Sequence, residues 1–103
     1  MTTVIVLFNL LPGISKSDYE NWAKTTDIPN VKKLDGCTDF QVLRSNGLLN
    51  GSPDSPYQYI EIIQVNNMEQ FKASVSTDKM QSIASQFREY AEDPIFILSE
   101  SIE

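Results

Sequence analysis

Apolar residues along this chain fall into short dense runs and longer periodic stretches, separated by glycine, proline and capping residues. Val4 to Leu10 is an apolar run rich in β-branched side chains and stopped by Pro12-Gly13, which reads as a buried strand followed by a turn. Ser17-Asp18-Tyr19-Glu20 has the form of a capping box, with Ser17 as N-cap and Glu20 reaching back. Tyr19, Trp22 and Ala23 then share one helical face. Pro29 disfavours helical geometry at Ile28, so the helix is expected to falter over Thr25 to Pro29. Asp27 is placed to cap a second helical piece, with Val31 and Leu34 pointing inward and Asp35-Gly36 ending it.

Phe40 to Arg44 reads as a second strand, and the Gly-, Asn-, Ser- and Pro-rich segment from Ser45 to Pro56 as a loop too long to fix strand register. Tyr57 to Val65 is the third predicted strand. Asn66-Asn67 offers an N-cap, with Glu69 or Gln70 completing it and Phe71 and Val75 turned inward. Ser76-Thr77-Asp78 restarts the helix, and Met80, Ile83, Ala84, Phe87 and Ala91 repeat at helical spacing. Asp93-Pro94 is expected to stop it before a fourth strand, Ile95 to Leu98.

The order β-α-β-β-α-β, with right-handed crossovers, predicts an α+β fold. It is the ferredoxin-like antiparallel sheet of four strands with helices on one face, strands one and three being central. A sheet covered on one side should alternate apolar and polar residues. Strands one, three and four show little alternation: Val4-Ile5-Val6-Leu7, Ile60 with Ile62-Ile63, and Ile95 to Leu98 offer apolar groups to both faces. Two helical segments cover one face only, and the other would expose more apolar surface than soluble monomers usually carry. A homodimer with the two sheets laid together, a dimeric α+β barrel, is the expected solution.

The length of 103 residues suits one domain spanning 1–103. Eight basic against 14 acidic side chains give a net charge of −6, which argues against nucleic-acid binding because no basic patch is available to displace counterions. The absence of histidine removes Ser-His-Asp and Cys-His catalysis and His-bearing metal sites. A single cysteine, Cys37, excludes an internal disulfide and fits a reducing compartment. It follows Gly36 in a predicted turn without a strongly basic setting, so an activated thiolate is not expected. The N-terminal apolar run lacks a basic leader and falls far short of the ~20 residues of a membrane span. A cytoplasmic protein without membrane association is therefore the expectation.

No nucleotide, metal or nucleophile-elbow motif is present, so no cofactor and no metal are expected, and candidate chemistry rests on single polar residues in apolar surroundings. Glu61 lies mid-strand between Ile60 and Ile62 and shares a face with Tyr59 and Ile63. Buried there, its carboxyl would be pushed up in pKa and suited to proton transfer. The competing reading is a structural carboxylate held by Arg44 or a lysine. Asp27 sits at the expected helix break, either at a pocket mouth or simply as an N-cap. Arg44 ends a strand, where it could clamp an anion or carbonyl, or pair with an exposed carboxylate. Tyr19, Trp22, Tyr59 and Tyr90 could line an aromatic pocket or belong to the core.

Taken together, Leu11-Pro12-Gly13, Asp18-Tyr19-Glu20 with Trp22, Asp27-Ile28-Pro29 with Val31, and Phe40-x-Val42-x-Arg44 form an ordered series. It continues through Gly47-Leu48-Leu49, Pro56-Tyr57-Gln58-Tyr59-x-Glu61 and Asp93-Pro94-x-Phe96-x-Leu98. In order and spacing this series resembles the REDY-like family, the HapK-type dimeric α+β-barrel proteins of prodigiosin-class and indole-alkaloid gene clusters. The resemblance implies an enzyme or binding protein of bacterial secondary metabolism acting on pyrrole or indole intermediates. It further suggests a cofactor-independent, acid/base-catalysed cyclase or rearrangement enzyme of a bisindole or prodigiosin-like pathway. Many relatives in the wider superfamily use a histidine that this chain lacks, so their mechanisms are not transferred. Glu61 is then assigned as acid/base, Asp27 or Arg44 as orienting groups, and Tyr19, Trp22, Tyr59 and Tyr90 as substrate-binding walls. The rival readings are a non-catalytic carrier of a reactive intermediate, a cofactor-free monooxygenase, and a scaffolding subunit.

Overall fold

A computed structural model describes the chain from Met1 to Glu103. The elements run β1 (Thr2–Leu10), α1 (Lys16–Trp22), a π-helical segment (Ala23–Asp27), α2 (Ile28–Val31), β2 (Cys37–Arg44), β3 (Tyr59–Val65), α3 (Met68–Val75), α4 (Asp78–Arg88) and β4 (Ala91–Ser99). The four strands form one antiparallel sheet in the order β2-β3-β1-β4, which puts the two expected strands at its centre.

Register divides the sheet into two faces, because directly opposed residues in antiparallel strands point the same way. Val4 faces Ile63, Val6 faces Glu61 and Phe8 faces Tyr59, and on β2 Phe40 faces Ile63 and Val42 faces Glu61. This is the side the helices cover. Val6 and Phe8 are fully buried, and Phe40, Tyr59 and Val65 nearly so. The opposite side carries the odd-numbered residues of β1. Ile5 opposes Ile62 and Ile97, and Leu7 opposes Ile60 and Ile95, while Leu43 opposes Ile60 from the other edge. No helix lies over these side chains, and they form a continuous apolar face.

The aromatic side chains concentrate at one end of the core. Tyr19 meets Phe8, Trp22, Tyr59 and Tyr90 at ring-centroid distances of 5.5, 6.1, 4.8 and 5.8 Å. Trp22 stacks on Tyr90 and donates its indole N–H to Gln86 Oε1 at 2.7 Å. Gly36, at φ +86°, joins α2 to β2 where a Cβ would collide with the backbone of Asn67 and Phe71. Only glycine serves both the turn and that close approach.

Several local expectations are corrected. The first helix is capped by Ser15, not Ser17: the Ser15 hydroxyl accepts from the Asp18 N–H at 3.1 Å. Glu20 cannot reach back, because Arg44 and Tyr59 hold its carboxylate from across the fold. The chain does not leave helical geometry at Ile28, which has φ −59° and ψ −50°, and Asp27 makes no capping hydrogen bond. The helix instead widens into a π segment, one way for a helical ladder to absorb the rung that Pro29 cannot supply. Cys37 begins β2 rather than lying in the turn, and β3 begins at Tyr59, two residues later than predicted. Asn67 and Thr77 cap α3 and α4, accepting from the Gln70 and Met80 N–H groups. The helix ends at Arg88, before Ala91, which is already in β4. Asp93-Pro94 therefore sits inside a strand. Between the pairs Leu7–Ile95 and Asn9–Glu92 the chain advances two residues along β1 and three along β4, a bulge that Asp93 accommodates at φ +43°.

Candidate functional site

The helices do not fill all the space they cover. Between the covered side of the sheet and α2, α3 and α4 lies a cavity of about 360 Å3, within the range typical of small-molecule sites. Phe40 and Ile63 from the sheet, Phe71 from α3, Met80 and Phe87 from α4 and Phe96 from β4 supply its apolar walls. Asp27 and Glu61 are its acidic groups, and Gln81 and Arg88 line it from the exposed side of α4.

Glu61 is 5 % exposed and is placed by the central strand β3, between the buried residues Tyr59 and Ile63 on the same face. No cation reaches it. Its Oε2 is buried without a hydrogen-bond partner, and so is the Tyr19 hydroxyl. Burial is the main reason that its carboxyl is raised well above the usual carboxylate range, and the Asp27 charge raises it further. The Tyr19 hydroxyl acts in the opposite sense. In turn, burial first and then the charges of Glu61 and Asp27 raise the Tyr19 phenol, which stays protonated.

Asp27 is 6 % exposed and also lacks an ion-pair partner. Burial alone raises it from 3.8 to about 7. The two carboxyls thus titrate in sequence, since Glu61 feels the Asp27 charge and keeps its proton while Asp27 loses its own. The cavity therefore holds two carboxyls of unequal acidity, Asp27 the first to ionise and Glu61 held protonated further by the charge that results. That is the arrangement a proton shuttle needs.

The π segment delivers Asp27 to this position. The Ile28 N–H bonds back to the Ala23 carbonyl, five residues earlier, adding one residue to the turn. Side chains steady the widened region: Thr25 Oγ1 donates to the Asn21 carbonyl at 2.8 Å, and Asn30 Nδ2 to the Thr26 carbonyl at 2.6 Å.

Of the residues singled out from sequence, Glu61 and Asp27 meet in the cavity. Arg44 does not reach it. Arg44 makes a bidentate pair with Glu20, Nε–Oε2 2.7 Å and Nη2–Oε1 2.6 Å, and Tyr59 Oη donates to Glu20 Oε2 at 2.7 Å. These bonds hold Glu20 down at about 2, chiefly through Arg44, and raise Tyr59, whose burial is the larger cause. Tyr19, Trp22, Tyr59 and Tyr90 pack with Phe8 and Phe87 beside the cavity and are not among its lining residues. The lining aromatics are Phe40, Phe71, Phe87 and Phe96. The helical stripe Met80, Ile83, Ala84, Phe87 is visible in the sequence, but periodicity does not distinguish a side chain in a packed core from one lining a cavity. No group of three or more His, Cys, Asp or Glu side chains is arranged to hold a metal ion, and burial raises the Cys37 thiol, keeping it protonated.

The family model for REDY-like protein HapK matches residues 2–102. The chain belongs to the REDY-like HapK family. HapK from Hahella chejuensis is 23% identical, with a TM-score of 0.78 over 99% of this chain and 93% of that one. SnoaB from Streptomyces nogalater, a cofactor-independent oxygenase, is 14% identical with a TM-score of 0.77, again over 99% and 93%. A dimeric ferredoxin-like protein of unknown function from Thermobifida fusca is 12% identical with a TM-score of 0.72, over 97% of this chain and 90% of that one. No curated protein matches this sequence. The likenesses to solved structures agree with the α+β, ferredoxin-like architecture of this REDY-like protein. No helix is long and apolar enough to cross a membrane.

Proposed function

We propose that this REDY-like protein is a cofactor-independent acid/base enzyme of secondary-metabolite biosynthesis, cyclising or rearranging an indole- or pyrrole-derived intermediate. The observation that carries this reading is the pair Glu61 and Asp27, two cation-free buried carboxyls of unequal acidity facing one apolar cavity. Asp27, titrating near 7, removes an N–H or activated C–H proton. The electron-rich ring attacks intramolecularly, Glu61 returns a proton to the developing product, and the apolar walls hold the reacting atoms together and keep water away. Tyr19 supports Glu61 from behind, its O–H available to the carboxylate formed when Glu61 gives up its proton. Arg44 serves the Glu20–Tyr59 cluster rather than the substrate.

The functional unit in this reading is a homodimer. The seven side chains Ile5, Leu7, Leu43, Ile60, Ile62, Ile95 and Ile97 make an apolar face that a second copy would cover, and the Thermobifida fusca relative is described as dimeric. The test of catalysis is turnover of an indole- or pyrrole-derived intermediate by Glu61→Gln and Asp27→Asn proteins. Each should lose roughly a hundredfold or more in rate, the scale of general acid–base catalysis. Unchanged turnover in both would leave a carrier. The likeness to SnoaB favours oxygenation as the second reading, and product formation that stops when oxygen is removed would select it.

A further inference from the structure

The cavity brings two acids together, and no basic side chain pairs with either. The single ion pair of the chain, Arg44–Glu20, lies outside it. Arg88, the one basic side chain on the lining, is exposed on α4, pairs with neither acid and contributes to neither carboxyl's shift. Tyr19, packed behind Glu61, is neutral, and the remaining walls are almost wholly apolar. A buried carboxylate without a counterion is costly, and the cost falls when a cation is brought to it with hydrogen-bonding geometry.

Resting on the reading of this cavity as the substrate site, we propose that its ligand is a flat apolar body bearing a cationic nitrogen, an ammonium or iminium, seated between Asp27 and Glu61. Such a group supplies the charge that the walls lack. It donates to the Asp27 carboxylate and to the cavity-facing oxygen of Glu61, while its rings lie among Phe40, Phe71, Phe87 and Phe96. An anionic ligand would meet two acids inside and find its only cation, Arg88, at the exposed side of α4. A neutral ligand of the same shape would leave the carboxylate unpaired.

The test uses three probes that share a ring system and differ in charge: 1-naphthylmethylamine, 1-naphthylmethanol and 1-naphthoate. Binding is followed by naphthalene fluorescence at pH 8, above the Asp27 titration near 7. The amine should bind about tenfold or more tighter than the alcohol, as a charge-assisted contact does, and the carboxylate weakest of the three. In Asp27→Asn and Glu61→Gln proteins the ratio of amine to alcohol affinity should fall towards one. Equal affinity for amine and alcohol in the wild type, or a preference that survives both substitutions, overturns the proposal. So does failure of all three probes to bind. None of these results bears on the rate loss expected of Glu61→Gln with its own substrate, so the ligand proposal and the acid/base reading fail separately.

Discussion

Replacing Asp27 by asparagine should make the protein more stable, and only at the upper end of the pH range. In the unfolded chain this carboxyl gives up its proton near 3.8, whereas burial in the folded chain holds the proton to about 7. Between these values the folded state carries a proton that the unfolded state has lost, so raising the pH through this window favours unfolding. The ceiling on the loss is about 4 kcal/mol, the energy that corresponds to moving the titration from 3.8 to about 7. Asparagine keeps the shape and stays neutral. The Asp27→Asn and wild-type curves should therefore agree near pH 4 and part steadily above it, until the variant is more stable by a few kcal/mol at pH 8. Urea denaturation at fixed protein concentration across this range measures the difference, the concentration being held because association would itself shift stability. A difference independent of pH, or a variant less stable at pH 8 than at pH 4 relative to wild type, would refute the claim that Asp27 is buried without a counterion.

Arg44→Ala should change the urea midpoint little, because the Arg44 end of its ion pair with Glu20 is open to solvent. The same substitution should let Glu20 titrate well above about 2, which carboxyl carbon NMR can follow. Ile62→Lys, at the middle of the uncovered sheet face, should yield a folded single subunit by light scattering. A persistent dimer would show that this face is not the contact. Deleting Thr25 should return the π segment to ordinary helix and rotate its flanks by about 100° relative to each other. The variant should keep its circular dichroism and lose turnover as Asp27→Asn does; full activity would show that the extra residue does not position Asp27.

The architecture is legible in the sequence because its signals are local and redundant. Apolar runs bounded by Pro12-Gly13, Asp35-Gly36 and the 45–56 loop mark the elements, and their order admits few chain paths. Glu61 stands out because a charge in a central strand needs explanation wherever its face points. Long-range contacts decide the rest. Ser15 and Ser17 are equally plausible caps in isolation; Arg44 and Tyr59 break the tie by drawing Glu20 away. Asp27 resembles a cap because Pro29 suggests a break, and a π segment leaves no compositional mark. Tyr19, Trp22, Tyr59 and Tyr90 do gather next to the cavity. Whether each lines it or backs it depends on the packing of α1 against β3, which spacing does not encode.

The kink at Asp93 also bears on how the molecule behaves at high concentration. β4 is an outermost strand, and Phe96 and Leu98 remain 61% and 68% exposed on it. Such a ribbon invites a stranger's strand to zip alongside and seed a fibril. Pro94 has no N–H to offer a newcomer, and the extra residue bends the rim away from the straight path a growing stack requires. The same two residues that look like a misplaced helix stop thus help keep a greasy rim from polymerising.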